Sequence, residues 1–261
     1  MTQQLYGLIG HPLGHSFSKK FFTEKFEREG IPAQYINFDI PDPHQLLDVV
    51  RDHPTLSGLN CTIPHKQAII PMLDELSQEA QRIGAVNVIK ITRREGKNGN
   101  FHLKGYNSDI IGFTQSLKPL LKPIHRRALV LGTGGASKAI CLGLETLGID
   151  WQYVSRTKAT YTKGNGEEAT SLTYEEVNEE LLRLHPLVVN CSPVGMHPFV
   201  DQAPLLPYEA MNASNLLFDL VYNPLETLFL KRGAAQGATT KNGLEMLYLQ
   251  ALASWDFWNN A

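Results

Sequence analysis

Short apolar runs alternate with amphipathic helical patterns along the first part of the chain. Residues 5–9, 35–40 and 56–62 have the length and apolar content of strands, whereas residues 17–29 show helical periodicity with phenylalanines along one face. The same patterns predict helices at 43–51, 66–73 and 78–83 and strands at 86–93 and 101–106, with a polar hairpin loop at 95–99. Strands that alternate with helices predict an α/β fold with a mainly parallel sheet.

The second part of the chain continues this alternation around a glycine-rich turn. A helix is predicted at 108–121, followed by a proline-bounded break at 122–123 and an apolar strand at 127–131. The remaining predicted elements are a helix at 136–147, strands at 152–155, 187–190 and 216–221, a polar surface loop at 162–170, and helices at 225–235 and 244–258.

The turn Gly132-Thr133-Gly134-Gly135 lies between the predicted strand at 127–131 and the helix that follows. Such a turn directs backbone N–H groups at an anion, and the helix dipole favours negative charge at the same place. Gly132 permits the tight turn, Gly134 lets a pyrophosphate approach the backbone, and Ser137 stands at the third glycine position of the dinucleotide fingerprint. The strand and helix around the turn favour a dinucleotide site over the alternative, a tight turn without a ligand.

The residues after the next strand bear on the choice of cofactor. NAD-binding domains place Asp or Glu there to bind the ribose 2′-hydroxyl, but this chain has Ser155-Arg156-Thr157-Lys158. The positive charges of Arg156 and Lys158 suit a 2′-phosphate. The sequence therefore predicts NADP, with a solvated basic turn as the alternative.

Two candidate catalytic residues also follow strands. Lys66 comes after the strand at 56–62, where a helix is expected to begin, and Asp109 comes after the strand at 101–106. Ligands of open α/β sheets bind beyond the carboxyl ends of the strands, and an ammonium there can give a proton to a carbonyl oxygen. A lone lysine is most often a surface charge, so the catalytic hypothesis depends on Asp109, whose carboxylate can orient the ammonium.

Ser16 and Ser18 follow the first strand, at the start of the predicted helix 17–29. Both can cap that helix, and a pair of hydroxyls at a helix N-terminus can also hold a carboxylate. His11 and His15 have the i, i+4 spacing of a metal pair, but the proline and glycine between them disfavour a helix. No metal site is predicted.

Composition and charge narrow the class of protein. The chain has 261 residues, enough for one large or two smaller domains, and its 24 Lys and Arg against 26 Asp and Glu give a formal charge of −2. A hydrophobic fraction of 43% excludes disorder, and the lack of a basic run disfavours nucleic acid as a partner. Neither a membrane span nor a secretory leader is expected, and the widely spaced cysteines favour the reducing cytoplasm.

Eight stretches, in order along the chain, resemble the shikimate dehydrogenase family. Each is weak alone, whereas the ordered set is specific. The stretches are Ser16-Phe17-Ser18, Asn60-Cys61-Thr62-Ile63-Pro64-His65-Lys66, Gly84-Ala85-Val86-Asn87, Gly105-Tyr106-Asn107-Ser108-Asp109, Gly132-Thr133-Gly134-Gly135-Ala136, Ser155-Arg156-Thr157, Asn190-Cys191-Ser192-Pro193-Val194-Gly195-Met196 and Gly243-Leu244-Glu245-Met246-Leu247-Tyr248-Leu249-Gln250.

The resemblance implies NADPH-dependent, reversible reduction of 3-dehydroshikimate to shikimate in aromatic amino acid (chorismate) biosynthesis, by a monomer or homodimer. Lys66 and Asp109 would be the catalytic pair beside the reacting oxygen and would contact the substrate. The other implied substrate-binding residues are Ser16, Ser18 and Tyr222 at the carboxylate, and Thr62, Asn87 and Gln250 at the ring hydroxyls. The implied cofactor-binding residues are Gly132, Gly134, Gly135 and Ala136 at the pyrophosphate, Arg156 and Thr157 at the 2′-phosphate with Ser155 beside them, and Leu220 and Gly243, the glycine near the nicotinamide.

The resemblance also implies two domains. Residues 1–108 with 241–261 would form an α/β substrate-binding and catalytic domain, and residues 109–240 would form an inserted Rossmann-type NADP-binding domain. The chain departs from the family pattern at four positions. Lys19 and Leu228 replace prolines, Ser155 replaces an asparagine, and Thr160 stands where a further basic residue is frequent, which leaves Lys158 as its substitute and the strength of NADP preference open.

Three alternative functions remain open. The first is a quinate/shikimate dehydrogenase that uses NAD or both cofactors, and Arg156 disfavours its use of NAD. The second is a non-catalytic sensor of NADP and a shikimate-like ligand, which the presence of both Lys66 and Asp109 disfavours. The third is a folate-type methylene dehydrogenase, which does not account for the two serines or for the run that ends at Gln250.

Overall fold

The computed structural model describes residues 3–14, 16–94 and 99–260. The chain divides into two compact units. The first contains Met1–Ser108 and Ala251–Ala261, and the second contains Asp109–Gln250. Each is a layered α/β unit with its own six-stranded sheet.

The first unit is built on a mixed sheet. Its strands are β1 (Gln4–Gly10), β2 (Ala33–Asp39), β3 (Leu56–Cys61), β4 (Glu75–Leu76), β5 (Val88–Thr92) and β6 (His102–Tyr106). They lie in the order β2-β1-β3-β5-β6-β4, in which β5 is antiparallel to both of its neighbours and the other pairs are parallel. The carboxyl ends of β1 and β3 therefore meet at one edge of the sheet.

Helices cover both faces of this sheet. They are α1 (Phe17–Glu29), α2 (Gln45–Asp52), α3 (Gln78–Ile83) and the last part of α8 (Leu244–Asn260). Aromatic side chains of α1 and α8 pack on Tyr6 of β1, and the Trp258 indole donates a 3.1 Å hydrogen bond to the Ile89 carbonyl. Gly58 has no side chain at the point where the same indole contacts the sheet, and this absence allows the close approach.

The second unit is built on a fully parallel sheet. Its strands are β7 (Arg127–Leu131), β8 (Asp150–Ser155), β11 (Leu172–Thr173), β12 (Leu187–Asn190), β13 (Leu216–Asp219) and β14 (Thr239–Lys241), in the order β11-β8-β7-β12-β13-β14. Taken in chain order this is 3-2-1-4-5-6, the order of a dinucleotide-binding Rossmann fold. The central strands are buried on both faces, as parallel sheets covered by helices require.

The helices of the second unit are α4 (Asp109–Leu117), α5 (Gly135–Thr146), α6 (Glu179–Leu184), α7 (Leu228–Ala235) and the first part of α8. Two apolar clusters, one on each face of the sheet, form its core. Thr227 caps α7 by accepting the Leu230 N–H, so the helix begins at Leu228 without the proline frequent in the family.

The structure corrects two of the predicted elements. Residues 66–73 do not form a helix, because Pro71 interrupts it; turns lead instead into a 3₁₀ helix at Ile70–Met72. The loop predicted at 162–170 is a hairpin of two short antiparallel strands, β9 (Thr160–Thr162) and β10 (Glu168–Thr170). Of the predicted loop at 95–99, residues 95–98 lie outside the described residues.

Every helix in the described part of the chain is too short or too polar to cross a membrane.

Candidate active site

Backbone hydrogen bonds gather three of the predicted substrate residues at the carboxyl end of β3. The Cys61 N–H donates to the Asn87 carbonyl at 2.9 Å, which brings Asn87 alongside Thr62. The Val86 N–H donates to the Lys66 carbonyl at 2.7 Å, which fixes the lysine backbone beside the same segment. Thr62, Lys66 and Asn87 therefore form one group within the first unit.

Lys66 lies in the turns after β3 and not at the helix start that the sequence predicted. Its side chain is half-buried, and its positive charge interacts electrostatically with the Cys61 thiol. Burial raises the pKa of Cys61 to about 12, while the Lys66 ammonium opposes part of that rise. The ammonium is thus held near the carboxyl end of β3, where ligands of α/β sheets bind.

The two predicted carboxylate-binding serines lie at the start of α1. Ser16 is the N-cap residue, and its Oγ accepts the Lys19 N–H at 3.2 Å. A cavity of about 470 Å³ opens beside Ser16, with Lys19, Lys20 and Glu24 in its walls, and Lys20 Nζ lies 3.8 Å from Glu24 Oε1. The helix N-terminus and Lys19 attract an anion, so the local field suits a carboxylate.

A chain of hydrogen bonds runs from Ser18, at the start of α1, to the Asn87 amide. Ser18 hydrogen-bonds the Tyr35 hydroxyl, which donates to Asn60 Oδ1 at 2.8 Å. Asn60 Nδ2 donates to Ser254 Oγ at 3.0 Å, and Ser254 Oγ donates to Ser108 Oγ at 3.3 Å. We call Tyr35, Asn60, Ser254 and Ser108 the polar chain.

The polar chain ends at Asn87, which is 4% exposed. Asn87 Oδ1 accepts the Ser108 N–H at 2.7 Å, and Asn87 Nδ2 donates to Ser108 Oγ at 3.1 Å. These two bonds fix which way the amide points. Sequence reasoning missed Tyr35, Asn60 and Ser254; the available signal was a polar residue, Asn60, inside an otherwise apolar strand.

In the second unit, two further predicted substrate residues lie on helices that pack closely. Asp109 is the first residue of α4 and is 6% exposed, and Gln250 is half-buried on α8. A β-carbon added to Gly112, one turn after Asp109, would lie 3.1 Å from the Gln250 nitrogen. The glycine therefore lets the two helices approach where Asp109 and Gln250 stand.

The glycine-rich turn has the geometry that an anion site needs. The Gly132 N–H donates to the Val154 carbonyl at 2.8 Å, and its φ of +93° is a conformation that glycine adopts without strain. Gly134 is the N-cap of α5, with φ −71°. No atom lies within 4 Å of a β-carbon added to Gly134 or Gly135, so the open backbone leaves room for a pyrophosphate.

Ser137, which replaces the third fingerprint glycine, is fully buried under this turn. Its hydroxyl donates to the Gly134 carbonyl at 2.6 Å and shares a 3.0 Å hydrogen bond with the Tyr153 hydroxyl. The serine thus braces the turn against β8. Ala136 and Gly135, in the first turn of α5, are exposed beside it.

The basic turn after β8 is held by a buried serine. Ser171 Oγ accepts the Ala159 N–H at 2.9 Å and lies 2.9 Å from Ser155 Oγ. Arg156 and Thr157 are exposed at the top of this turn. The turn and the glycine loop stand side by side at the carboxyl ends of β8 and β7, which is where the adenosine half of a dinucleotide binds.

The remaining predicted cofactor and substrate residues follow β13. A β-carbon on Gly243 would contact the Leu220 carbonyl, and the Gly243 N–H donates to the Val221 carbonyl at 3.1 Å. Tyr222, the next residue, is 41% exposed. The second unit therefore brings Leu220, Gly243 and Tyr222 together near the end of one central strand.

Asp219 organises the turn that carries Leu220 and Tyr222. Its carboxyl accepts hydrogen bonds from Thr227 Oγ1 at 2.6 Å, from Asn190 Nδ2 at 3.0 Å and from the Val221 N–H at 3.0 Å. Burial raises the pKa of Asp219 to about 6, although the three donors oppose the rise. Sequence reasoning did not single out this residue.

The structure does not test the possible metal pair of His11 and His15, because His15 lies outside the described residues. His11 Nδ1 lies 2.7 Å from Asp39 Oδ1 at the surface. The predicted site residues thus supply hydroxyl, amide and ammonium groups in the first unit, and the Asp109 carboxyl together with a dinucleotide-binding edge in the second.

Comparisons with known proteins agree with this geometry. A family model for the shikimate dehydrogenase substrate-binding domain matches residues 8–89. The chain is 38% identical over 266 residues to the shikimate dehydrogenase (NADP(+)) of Caldanaerobacter subterraneus subsp. tengcongensis, covering 98% of this chain and 92% of that protein.

Two solved structures align with nearly the whole chain. One is the shikimate 5-dehydrogenase of Thermus thermophilus in complex with NADP(H) and shikimate, with a TM-score of 0.80 and 31% identity over 99% of this chain and 94% of that one. The other is the shikimate 5-dehydrogenase of Listeria monocytogenes in complex with shikimate and NAD, with a TM-score of 0.84 and 28% identity over 99% and 92%. Of these two similar structures, one therefore contains NADP(H) and the other contains NAD.

Proposed function

The chain belongs to the shikimate dehydrogenase family, and on that premise we propose that it catalyses the reversible, NADPH-dependent reduction of 3-dehydroshikimate to shikimate in aromatic amino acid biosynthesis. The observation that carries the proposal is the grouping of Lys66 with Thr62 and Asn87 at the carboxyl end of β3. This group supplies a cation and neutral hydrogen-bonding side chains, which match a polyhydroxylated ring with a reacting carbonyl.

We assign the substrate carboxylate to Ser16 and Ser18, with Tyr222 as a third hydroxyl. The start of α1 presents a favourable dipole, and the neighbouring Lys19 adds positive charge. Thr62, Asn87 and Gln250 bind the ring hydroxyls. Asn87 suits this role because its amide orientation is already fixed by Ser108, so little side-chain freedom is lost when a hydroxyl binds.

Lys66 and Asp109 are proposed as the catalytic pair. In the direction of reduction the Lys66 ammonium donates a hydrogen bond to the carbonyl oxygen and gives it a proton as negative charge develops there. In the reverse direction the neutral amine takes the hydroxyl proton. Asp109 orients the ammonium through its carboxylate.

NADPH supplies the hydride when it is bound, and the residues of the second unit fit that cofactor. The open backbone at Gly134 and Gly135 accommodates a pyrophosphate at the N-terminus of α5, with Gly132 and Ala136 on either side. Arg156, Thr157 and Ser155 hold the 2′-phosphate, and Leu220 and Gly243 line the nicotinamide end. The free cysteines of the chain fit a reducing compartment, and we place the protein in the cytoplasm.

The test is to mix the purified protein with shikimate and NADP⁺ and to follow the absorbance of NADPH. Saturable NADPH formation is expected, with a lower kcat/KM when NAD⁺ replaces NADP⁺ or quinate replaces shikimate. Binding of both ligands without turnover would identify a sensor instead. Faster turnover of quinate with NAD⁺ would identify a quinate dehydrogenase and overturn the proposal.

A further inference from the structure

The turn that is proposed to hold the 2′-phosphate contains an ion pair that sequence reasoning did not anticipate. Lys158 Nζ lies 2.6 Å from Glu176 Oε1. Lys158 is the residue expected to replace the basic side chain missing at Thr160. Its positive charge is therefore matched by a carboxylate within the protein itself.

The fold places Glu176 at this turn. Strand β11 pairs in parallel with β8, and its last residue, Thr173, is in register with Ser155. Glu176 follows Thr173 by one 3₁₀ turn, and Lys158 likewise stands three residues after Ser155. Both side chains thus extend from the carboxyl edge of the sheet, where the ribose of the adenosine binds.

Glu176 is fixed in place by a capping box. Its Oε2 accepts the Thr173 N–H at 2.8 Å, while its other oxygen contacts Lys158. The Thr173 side chain accepts the Glu176 N–H in return. The carboxylate is therefore held toward the lysine by a second, independent interaction, so the ion pair costs less side-chain entropy on the glutamate side.

We propose that Glu176 limits the preference for NADP over NAD by neutralising Lys158, so that Arg156 is the basic residue of this turn left to face the 2′-phosphate. The inference rests on the proposed use of NADP. A 2′-phosphate carries close to two negative charges and gains from each nearby cation, whereas the 2′-hydroxyl of NAD gains little. Glu176 is thus a specificity-determining residue, and it does not take part in hydride transfer.

The variant that tests this is Glu176→Gln. Glutamine keeps an oxygen that accepts the Thr173 N–H, so the capping box is preserved while the charge is removed. The ratio of kcat/KM for NADP⁺ to that for NAD⁺ is expected to rise about one-and-a-half- to fivefold, the range of a partly exposed ion-pair effect. The gain should shrink at high salt because both charges are near the surface.

Two further variants locate the effect. Glu175→Gln removes the same charge from the exposed neighbouring residue, which makes no ion pair with Lys158, and should leave the ratio near that of the wild type. Lys158→Ala combined with Glu176→Gln removes both charges and should return the ratio close to the wild-type value. A gain that persists in the double variant would show that the released lysine is not its source and would overturn the proposal.

A binding measurement separates this inference from the proposed function. Adenosine 2′,5′-bisphosphate and adenosine 5′-monophosphate differ only in the 2′-phosphate, and their affinities can be measured by calorimetry without shikimate. Glu176→Gln should tighten binding of the bisphosphate by the same factor and leave the monophosphate unchanged. Equal affinities in variant and wild type would refute the role of Glu176, whereas absent turnover in the wild type would refute only the dehydrogenase function.

Discussion

Asn60 and Ser254 are separated by 194 positions in the sequence, yet Asn60 Nδ2 donates a hydrogen bond of 3.0 Å to Ser254 Oγ. The bond joins β3 to the final helix inside the first unit. It also forms the middle of the polar chain, between the proposed carboxylate end at Ser18 and the proposed hydroxyl end at Asn87. The final helix therefore takes part in orienting side chains that are assigned to the substrate.

Ser254→Ala should weaken substrate binding more than it slows turnover. The variant removes one partner of the half-buried Asn60 amide, which costs about 0.5–1.5 kcal/mol of stability. Because Ser108 also loses a contact, Asn87 is less firmly oriented, and KM for shikimate should rise several-fold with a smaller change in kcat. Steady-state kinetics and urea unfolding measure the two effects.

Ser116→Ala is the matched control for that variant. Ser116 is buried, but its hydroxyl donates to the Phe113 carbonyl within its own helix. It should lower stability without changing KM. If Ser254→Ala lowers stability and leaves KM at the wild-type value, the polar chain supports only the fold.

Lys66→Ala should reduce kcat about 10²- to 10⁴-fold, the usual contribution of a positioned general acid. KM for shikimate should change less, because the proposed role of the ammonium develops as charge forms on the oxygen. Lys231→Ala removes an exposed lysine of α7 and should leave both constants unaltered. A kcat within twofold of the wild type in Lys66→Ala would exclude Lys66 as the proton donor.

Gly134→Ala should weaken cofactor binding without loss of stability. The backbone there has φ −71°, which any residue adopts, and nothing lies within 4 Å of the added β-carbon. The free protein therefore has room for the methyl group, whereas a bound pyrophosphate does not. We expect Kd for NADP⁺ to rise about tenfold to a hundredfold, the cost of losing charge-assisted hydrogen bonds, with an unchanged Tm. Wild-type affinity would place the pyrophosphate elsewhere.

The second unit was largely predictable from sequence because its strands are apolar on both faces and its glycine turn is local. The strand at residues 187–190 and the start of α8 at Leu244 were predicted correctly to the residue. At both places an abrupt change in the pattern of apolar and polar residues marks the boundary. By contrast, β11 and β14 have two and three residues, which is too short for a periodicity to be visible.

The features that sequence reasoning missed depend on partners distant in the chain. Nothing near Asn60 indicates Ser254, and nothing near Lys158 indicates Glu176, because both contacts depend on sheet register and helix packing. The predicted helix at 66–73 failed for a local reason: Pro71 lacks the N–H of a helix interior, and the apolar periodicity around it concealed the break. Candidate residues were thus found from motifs, whereas the side chains that position or compensate them required the fold.

Asp219→Asn should remove a pH dependence from the stability of the protein. Burial raises the pKa of Asp219 to about 6, from 3.8 in an unfolded chain, so the folded protein holds a proton that the unfolded chain has released. The wild type should therefore lose stability as the pH rises from about 4 to 6, by on the order of 3 kcal/mol. Asparagine keeps an acceptor for Asn190 and the Val221 N–H, and it does not titrate. The variant should therefore gain stability relative to the wild type over that interval, as measured by urea unfolding at several pH values.

Asp52→Asn, which removes an exposed carboxylate, controls for the change in net charge. Parallel curves for Asp219→Asn and the wild type would mean that the pKa of Asp219 is the same in the folded protein as in the unfolded chain.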